Sequence, residues 1–384
     1  MTAIRLPQSD GSVLSYAAHG DYPYPASATP AASRIAYAAA HVVADPLADV
    51  TPAGRPSIDW DATLAFRRHL WSLGLGVAEA LDTAQRGMGL DWSLARELVE
   101  RTCAEADRGA VVAGAQTDQL VPGSARSLDD VVAAYAQQCE AVEAAGATVV
   151  IMASRELCRI ASTPEDYAAV YGKILAGVSR PVVIHWLGEA FDPELAGYWA
   201  SADFEGASAT CLAIVDQHAS KIDGIKLSLL DQEKEVELRR RLPAGVRMYT
   251  GDDFDYPTTI AGDREHHSDA LLGAFDFAAP AAAWSLEALD AGDVAEFHRR
   301  LDPTLELSRH VFSTPTFYYK TGVVFLAYLN GFQSHFKMVA GLESGRSVVH
   351  LATLFRLADK AGLLRDADLA TGRMAHVLAL AGVE

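Results

Sequence analysis

Lys226 lies near the end of the short apolar run Ile222-Asp223-Gly224-Ile225-Lys226-Leu227-Ser228, a setting in which an amine can do covalent chemistry. At the C-terminal end of a strand in a parallel barrel, a lysine points into the pocket where such folds work. There its amine can condense with a carbonyl compound, and the resulting imine draws electrons from the adjacent carbon. The attack needs a neutral amine, so burial must bring the pKa down, each unit corresponding to about 1.4 kcal/mol. The alternative is a strand-end lysine that extends its amine to water. Further polar residues fall at the expected strand ends: His41, Asp82, Thr83, Gln116, Thr117, Ser154, Arg155, His185, Trp186, Ser228 and Gly251-Asp252-Asp253. Asp252 and Asp253 would oppose the depression of the lysine pKa if they were ionised and close.

Positioning these groups requires a regular scaffold. Strand-like runs occur at residues 34–43, 76–81, 110–115, 148–153, 181–186, 222–228, 246–250 and 274–278. Helix-like segments at 57–72, 92–108, 127–145, 163–177 and 232–241 separate them, with a longer helical insertion reaching residue 218. Ser57 is the expected N-cap of the first of these helices. Such alternation implies right-handed crossovers and a parallel sheet. Eight units make an α/β fold of the (β/α)8 TIM-barrel type. An open doubly wound sheet is the alternative, but no glycine-rich dinucleotide fingerprint follows the first strand. The expected division is an N-terminal arm at 1–33, the barrel at 34–285 and a C-terminal helical extension at 286–384. That extension can shape the mouth of the site or build an oligomer interface. Within it, Phe317-Tyr318-Tyr319-Lys320 reads as packing at a helix junction, with an overhang on the site as the alternative.

Composition narrows the partners. A formal charge of -18 disfavours nucleic acid and anionic membrane surfaces, both of which call for basic patches. No apolar run approaches the roughly 20 residues that span a bilayer. The four cysteines, Cys103, Cys139, Cys158 and Cys211, are scattered without CxxC spacing, and no secretory signal is evident, which fits a cytoplasmic chain with free thiols. His266-His267 is the one pair suggestive of a metal, but adjacent helical residues project about 100° apart, so no metal and no cofactor are assigned.

Four segments in order carry a family resemblance: Ser57-Ile58-Asp59 before a helix, Ala113-Gly114-Ala115, Gly224-Ile225-Lys226, and Gly251-Asp252-Asp253. From about residue 34 to 380 the chain resembles the dihydrodipicolinate synthase and N-acetylneuraminate lyase superfamily, class I aldolases built as barrels with extra C-terminal helices. The resemblance implies that Lys226 is the imine-forming lysine. Asp82-Thr83-Ala84-Gln85-Arg86-Gly87 stands where the family binds a carboxylate, with Thr83 in a threonine's place and Arg86 as a possible charged clamp. The family's catalytic tyrosine after strand four is absent, and Met152-Ala153-Ser154-Arg155-Glu156 stands there instead. His185 is the first candidate to move the proton in its place; Tyr249, Glu156 and Tyr319 are weaker ones.

The expected site therefore has Lys226, His185 and Thr83 as catalytic residues. Asp82, Arg86, Gln116, Arg155, Tyr249, Gly251, Asp252 and Asp253 are expected to bind substrate. The expected partner is a small carbonyl compound, a 2-oxo acid or sugar-derived ketone from carbohydrate catabolism, and the resemblance implies a homodimer or homotetramer. Two other readings stay open: a metal-dependent lyase or isomerase using histidines with Asp252 and Asp253, and a non-catalytic ligand sensor.

Overall fold

A computed structural model describes residues 3–52, 54–106 and 110–383. The chain opens with a hairpin of β1 (Ile4–Pro7) and β2 (Val13–Tyr16), paired antiparallel. It is held against the far end of the chain: Tyr16 Oη donates to Asp359 at 2.6 Å, and the His19 ring lies 2.7 Å from the same carboxylate.

Eight parallel strands then close into a barrel: β3 (Ala36–Ala39), β4 (Gly76–Glu79), β5 (Val111–Ala115), β6 (Thr148–Met152), β7 (Val182–Leu187), β8 (Ile222–Ser228), β9 (Arg247–Thr250) and β10 (Asp269–Leu272). β10 pairs with both β9 and β3, which leaves no sheet edge. The helices between them are α1 (Trp60–Ser72), α2 (Trp92–Glu105), α3 (Leu128–Ala145), α4 (Arg155–Ile160), α5 (Pro164–Gly177), α6 (Phe204–His218), α7 (Gln232–Arg241), α8 (Tyr256–Ala261) and α9 (Ala279–Asp290). Local chemistry starts several of them. Ser127 and Thr163 form capping boxes with Asp130 and Asp166, satisfying free N–H groups at the first turns of α3 and α5. At α1 the cap is Asp59, whose carboxylate accepts from the Ala62 N–H; Ser57 lies too far upstream to serve.

Two boundaries differ from expectation. The eighth strand is β10 at Asp269–Leu272, and residues 274–278 form the turn that enters α9. Asp269-Ala270-Leu271-Leu272 is too short to show an alternating pattern, while the alanine-rich stretch from Ala278 suits a helix better than a strand. α9 therefore runs across residue 285, the expected end of the barrel. Residues 107–109, at the expected end of the second helix, lie outside the described residues. Beyond the barrel come α10 (Val294–Leu301), α11 (Leu305–Val311), α12 (Tyr319–Leu329), α13 (Val348–Lys360) and α14 (Ala367–Leu380).

Alternate strand residues face inward. Ala39, Ala78, Val112, Val150, Met152, Val183, Tyr249 and Leu271 pack together inside the barrel. Outside it, Arg67 of α1 is fully buried and meets Glu79 of β4 through two hydrogen bonds, at 2.8 and 2.9 Å; Thr102 of α2 donates to the same carboxylate at 2.8 Å. Arg67 also donates to the His41 carbonyl. Replacing Arg67 with methionine strands a buried carboxylate, and the expected loss is about 3–5 kcal/mol of stability in urea unfolding. A loss below 1 kcal/mol would mean that Glu79 finds other partners.

Candidate active site

The inward face of β8 carries Gly224, Lys226 and Ser228 in succession. Gly224 makes room for Tyr249: a Cβ there would lie 2.7 Å from the Tyr249 ring. One step up, Lys226 is 6 % exposed, at the level where the interior becomes polar. Burial holds its amine below the ordinary lysine value, while the Asp82 and Asp253 carboxylates pull the other way. Asp253 is itself buried, which pushes its carboxyl up, and its Oδ1 accepts from the Ala274 N–H at 2.8 Å. Asp82 and Asp253 thus oppose the depression that the lysine needs, and burial prevails.

His185 of β7 stands beside Lys226 in register and is fully buried. Its Nε2 lies 3.1 Å from Ser228 Oγ, and its Nδ1 has no hydrogen-bond partner. Burial, and then the charge of Lys226, drive its pKa well below the usual value, so the ring is neutral. Gly251 follows on β9. A Cβ there would sit 2.2 Å from Ser228 Oγ and 3.1 Å from Lys226 Cε, so only glycine lets these strands close under the amine. Gly251→Ala is expected to cost about 1–3 kcal/mol of stability and to displace Lys226. Thermal unfolding and the yield of covalent adduct at Lys226 should fall together; a wild-type yield would show that the strand shifts freely.

The opposite wall comes from the turn after β4 and from the C-terminal helices. Thr83 Oγ1 lies 2.9 Å from Tyr319 Oη, linking this turn to the first residue of α12. Tyr319 stacks on Phe312 with ring centroids 4.4 Å apart, and Phe191 meets both rings edge-on. These three aromatics form one packed cluster beside the Thr83 turn. Burial raises the Tyr319 phenol well above its ordinary value, so it keeps its proton. Asp82 bears electrostatically on Lys226, Tyr319, Lys320 and Arg155, and its Oδ2 is buried without a hydrogen-bond partner. Phe317-Tyr318-Tyr319-Lys320 therefore belongs to the site as well as to the helix junction. Its aromatic character was visible in the sequence, but nothing local tied it to Thr83.

Lys226, His185, Thr83, Asp82, Gly251 and Asp253 are brought together. Arg155 stands at the rim, held by Asp192 at 2.7 Å and Glu194 at 3.1 Å. Other expected ligands are directed elsewhere. Arg86 is buried and fully engaged by Asp118, Gln138 and the Ala80 and Gly114 carbonyls, so it braces the turn and has no donor to spare for a clamp. Tyr249 leans towards the start of β8 and donates to Asp223 at 2.6 Å, away from the amine. Asp252, one residue out of phase with Gly251 and Asp253, faces the α7 side near Glu235. Gln116 is half-buried at the end of β5, where its N–H donates to Gln138. Glu156 caps the 123–125 loop and pairs with Arg159. His41 is buried against Asp276 at 2.8 Å.

His266 and His267 precede β10 at the other end of the barrel, beside Arg239, Arg247 and Asp269. His185 cannot complete a set with them, and among the described residues no three His, Cys, Asp or Glu are grouped to hold a metal. No helix among those residues is long and apolar enough to cross a membrane.

The barrel and its extra helices are found in solved structures. Dihydrodipicolinate synthase from Aquifex aeolicus superposes with a TM-score of 0.64 at 13% identity, covering 86% of this chain and 99% of that one. The Thermotoga maritima enzyme gives 0.63 at 15%, covering 86% and 100%. The Bacteroides thetaiotaomicron enzyme gives 0.60 at 15%, covering 81% and 93%. At these identities the likeness establishes the fold. No curated protein matches the chain. Residues 4–383, nearly its whole length, match the family described as protein of unknown function (DUF993), and the chain belongs to that family.

Proposed function

We propose that this protein is a class I lyase or aldolase that forms an imine through Lys226 with a 2-oxo acid or a sugar-derived keto compound. The observation that carries this reading is a buried lysine amine, its pKa lowered by burial, near the C-terminal end of a barrel strand. In the reaction, the neutral Lys226 amine adds to the substrate carbonyl and the carbinolamine loses water. The iminium then accepts the electron pair of a breaking C–C bond at the neighbouring carbon, or that of its C–H bond, after which the enamine expels an oxygen leaving group with the C–O pair. Thr83 holds the substrate's carboxyl or hydroxyl end.

Tyr319 is the better candidate than His185 to move the proton. Its phenol is protonated and hydrogen-bonded to Thr83 Oγ1 at 2.9 Å, so it can donate to the departing oxygen and be reprotonated through that bond as the Thr83 hydroxyl takes a proton from a substrate hydroxyl or water. His185 is held neutral and far below physiological pH by burial, which makes it a poor base there. Its contact with Ser228 fits a positioning role under the amine. The altered segment after β6, without the family's tyrosine, argues against dihydrodipicolinate synthesis; a place in carbohydrate catabolism is proposed by analogy with the superfamily alone.

The test is borohydride reduction in the presence of pyruvate, keto sugars and 2-oxo sugar acids, followed by the intact mass and peptide mapping. An adduct on Lys226 supports the reading and identifies an accepted carbonyl. A folded protein with no adduct across the panel would favour the sensor reading. Turnover lost to a chelator and restored by a divalent metal would favour the metal-dependent one.

A further inference from the structure

A second buried lysine amine stands next to Tyr319, which is hydrogen-bonded to Thr83, and the imine chemistry does not use it. Lys320 is 2 % exposed at the start of α12. Its amine makes one long hydrogen bond, 3.4 Å to the Phe317 carbonyl, and lies 5.3 Å from the Phe317 ring centroid and 4.7 Å from that of Tyr319. Among the described residues, no carboxylate comes within ion-pair distance of it; the acidic groups it senses are Asp82 and then Asp192. Asp192 is already taken by Arg155 at 2.7 Å. Burial lowers the Lys320 amine only to about 8, so it is mostly protonated at neutral pH.

A buried ammonium with most of its donor capacity unused is costly to maintain. A buried carboxylate oxygen without a partner, Asp82 Oδ2, belongs to the turn that Tyr319 is hydrogen-bonded to through Thr83. Asp82 is also the carboxylate that bears most on Lys226, and the Thr83–Tyr319 hydrogen bond joins the neighbours of Asp82 and Lys320 in sequence. A chain of formal charge -18 has little reason to place an unpaired cation there unless an anion is to meet it.

We infer that Lys320 and Asp82 form a subsite for the end of the substrate remote from its carbonyl, Lys320 receiving a carboxylate or phosphate and Asp82 accepting a hydroxyl from the carbon chain. The inference rests on the imine reading for its orientation. It narrows the substrate class to hydroxylated keto compounds with an anionic group at the far end.

Two measurements separate this subsite from the imine. In the first, the thermal stability of the wild type, Lys226→Met and Lys320→Met is followed with inorganic phosphate and, separately, malonate. Stabilisation of the wild type and Lys226→Met, absent in Lys320→Met and restored in Lys320→Arg, supports the subsite whether or not Lys226 forms an imine. Equal stabilisation of Lys320→Met, or none of the wild type by either anion, overturns it.

In the second, borohydride trapping compares dihydroxyacetone with its phosphate and pyruvate with 2-oxoglutarate. The wild type should be half-trapped at a concentration at least about tenfold lower for one anionic member than for its counterpart, the scale of a hydrogen bond to a charged group. The pair that shows the preference distinguishes phosphate from carboxylate. Lys320→Met should abolish that preference and still be trapped at Lys226, and a preference that survives overturns the assignment. If Lys320→Met is poorly folded, Lys320→Gln replaces it. Anion stabilisation with no adduct from any carbonyl would sink the imine and support the subsite.

Discussion

Lys226→Met is expected to lower turnover by at least about 10³-fold, the scale of losses on removing a covalent nucleophile, and to abolish the borohydride adduct. Methionine fills nearly the same volume without an amine, so the barrel should fold. Its buried neighbour Asp253, whose carboxyl burial already pushes up, can take a proton when the opposing charge is gone. The measurement is steady-state turnover on whichever carbonyl compound is trapped, beside thermal unfolding of the same preparation. A variant that folds and retains full turnover ends the imine mechanism.

Tyr319→Phe is expected to reduce kcat by about 10²–10⁴-fold, the range for a positioned acid or base, while adduct at Lys226 persists. The two effects separate because the ring and its stacking on Phe312 remain and only the hydroxyl is lost. Some stability should go with it, about 1–3 kcal/mol, since Thr83 Oγ1 loses a buried partner. His185→Gln provides the contrast. If it costs more than Tyr319→Phe in kcat, the proton passes through the imidazole and the assignment to Tyr319 is wrong.

The amine and the wall that faces it reach the site by different routes. Lys226 and His185 come from neighbouring parallel strands, and their inward direction follows from the two-residue strand period once the register is known; Gly251 and Asp253 lie just past the end of β9. Tyr319 and Lys320 come from a helix some 236 positions beyond Thr83, and only the packing of α11 and α12 over the barrel mouth brings them in. This is how the chain presents a phenol beside Thr83.

Several side chains show the same limit. Tyr249 ends up level with Lys226 along the sheet yet aims at Asp223, because Gly224 leaves space below it and none opens above. Arg86 had the right chemistry for an anion clamp, but Asp118 and Gln138, distant in sequence, had already claimed its donors. Asp252 and Asp253 are adjacent, and alternation sends them to opposite faces.

The sequence alone was enough for the parallel barrel, the eight repeating units, most element boundaries, the helical extension and the lysine at a strand end. All of these rest on local periodicity and strand-end position, which act over a few residues, whereas the expected cap Ser57 gave way to Asp59. Where the eighth strand begins, which helix packs beside the Thr83 turn, which cations are already paired and which phenol faces the amine were decided by the tertiary structure. Those outcomes depend on contacts between segments hundreds of residues apart, and on steric room at single glycines, which no local pattern encodes.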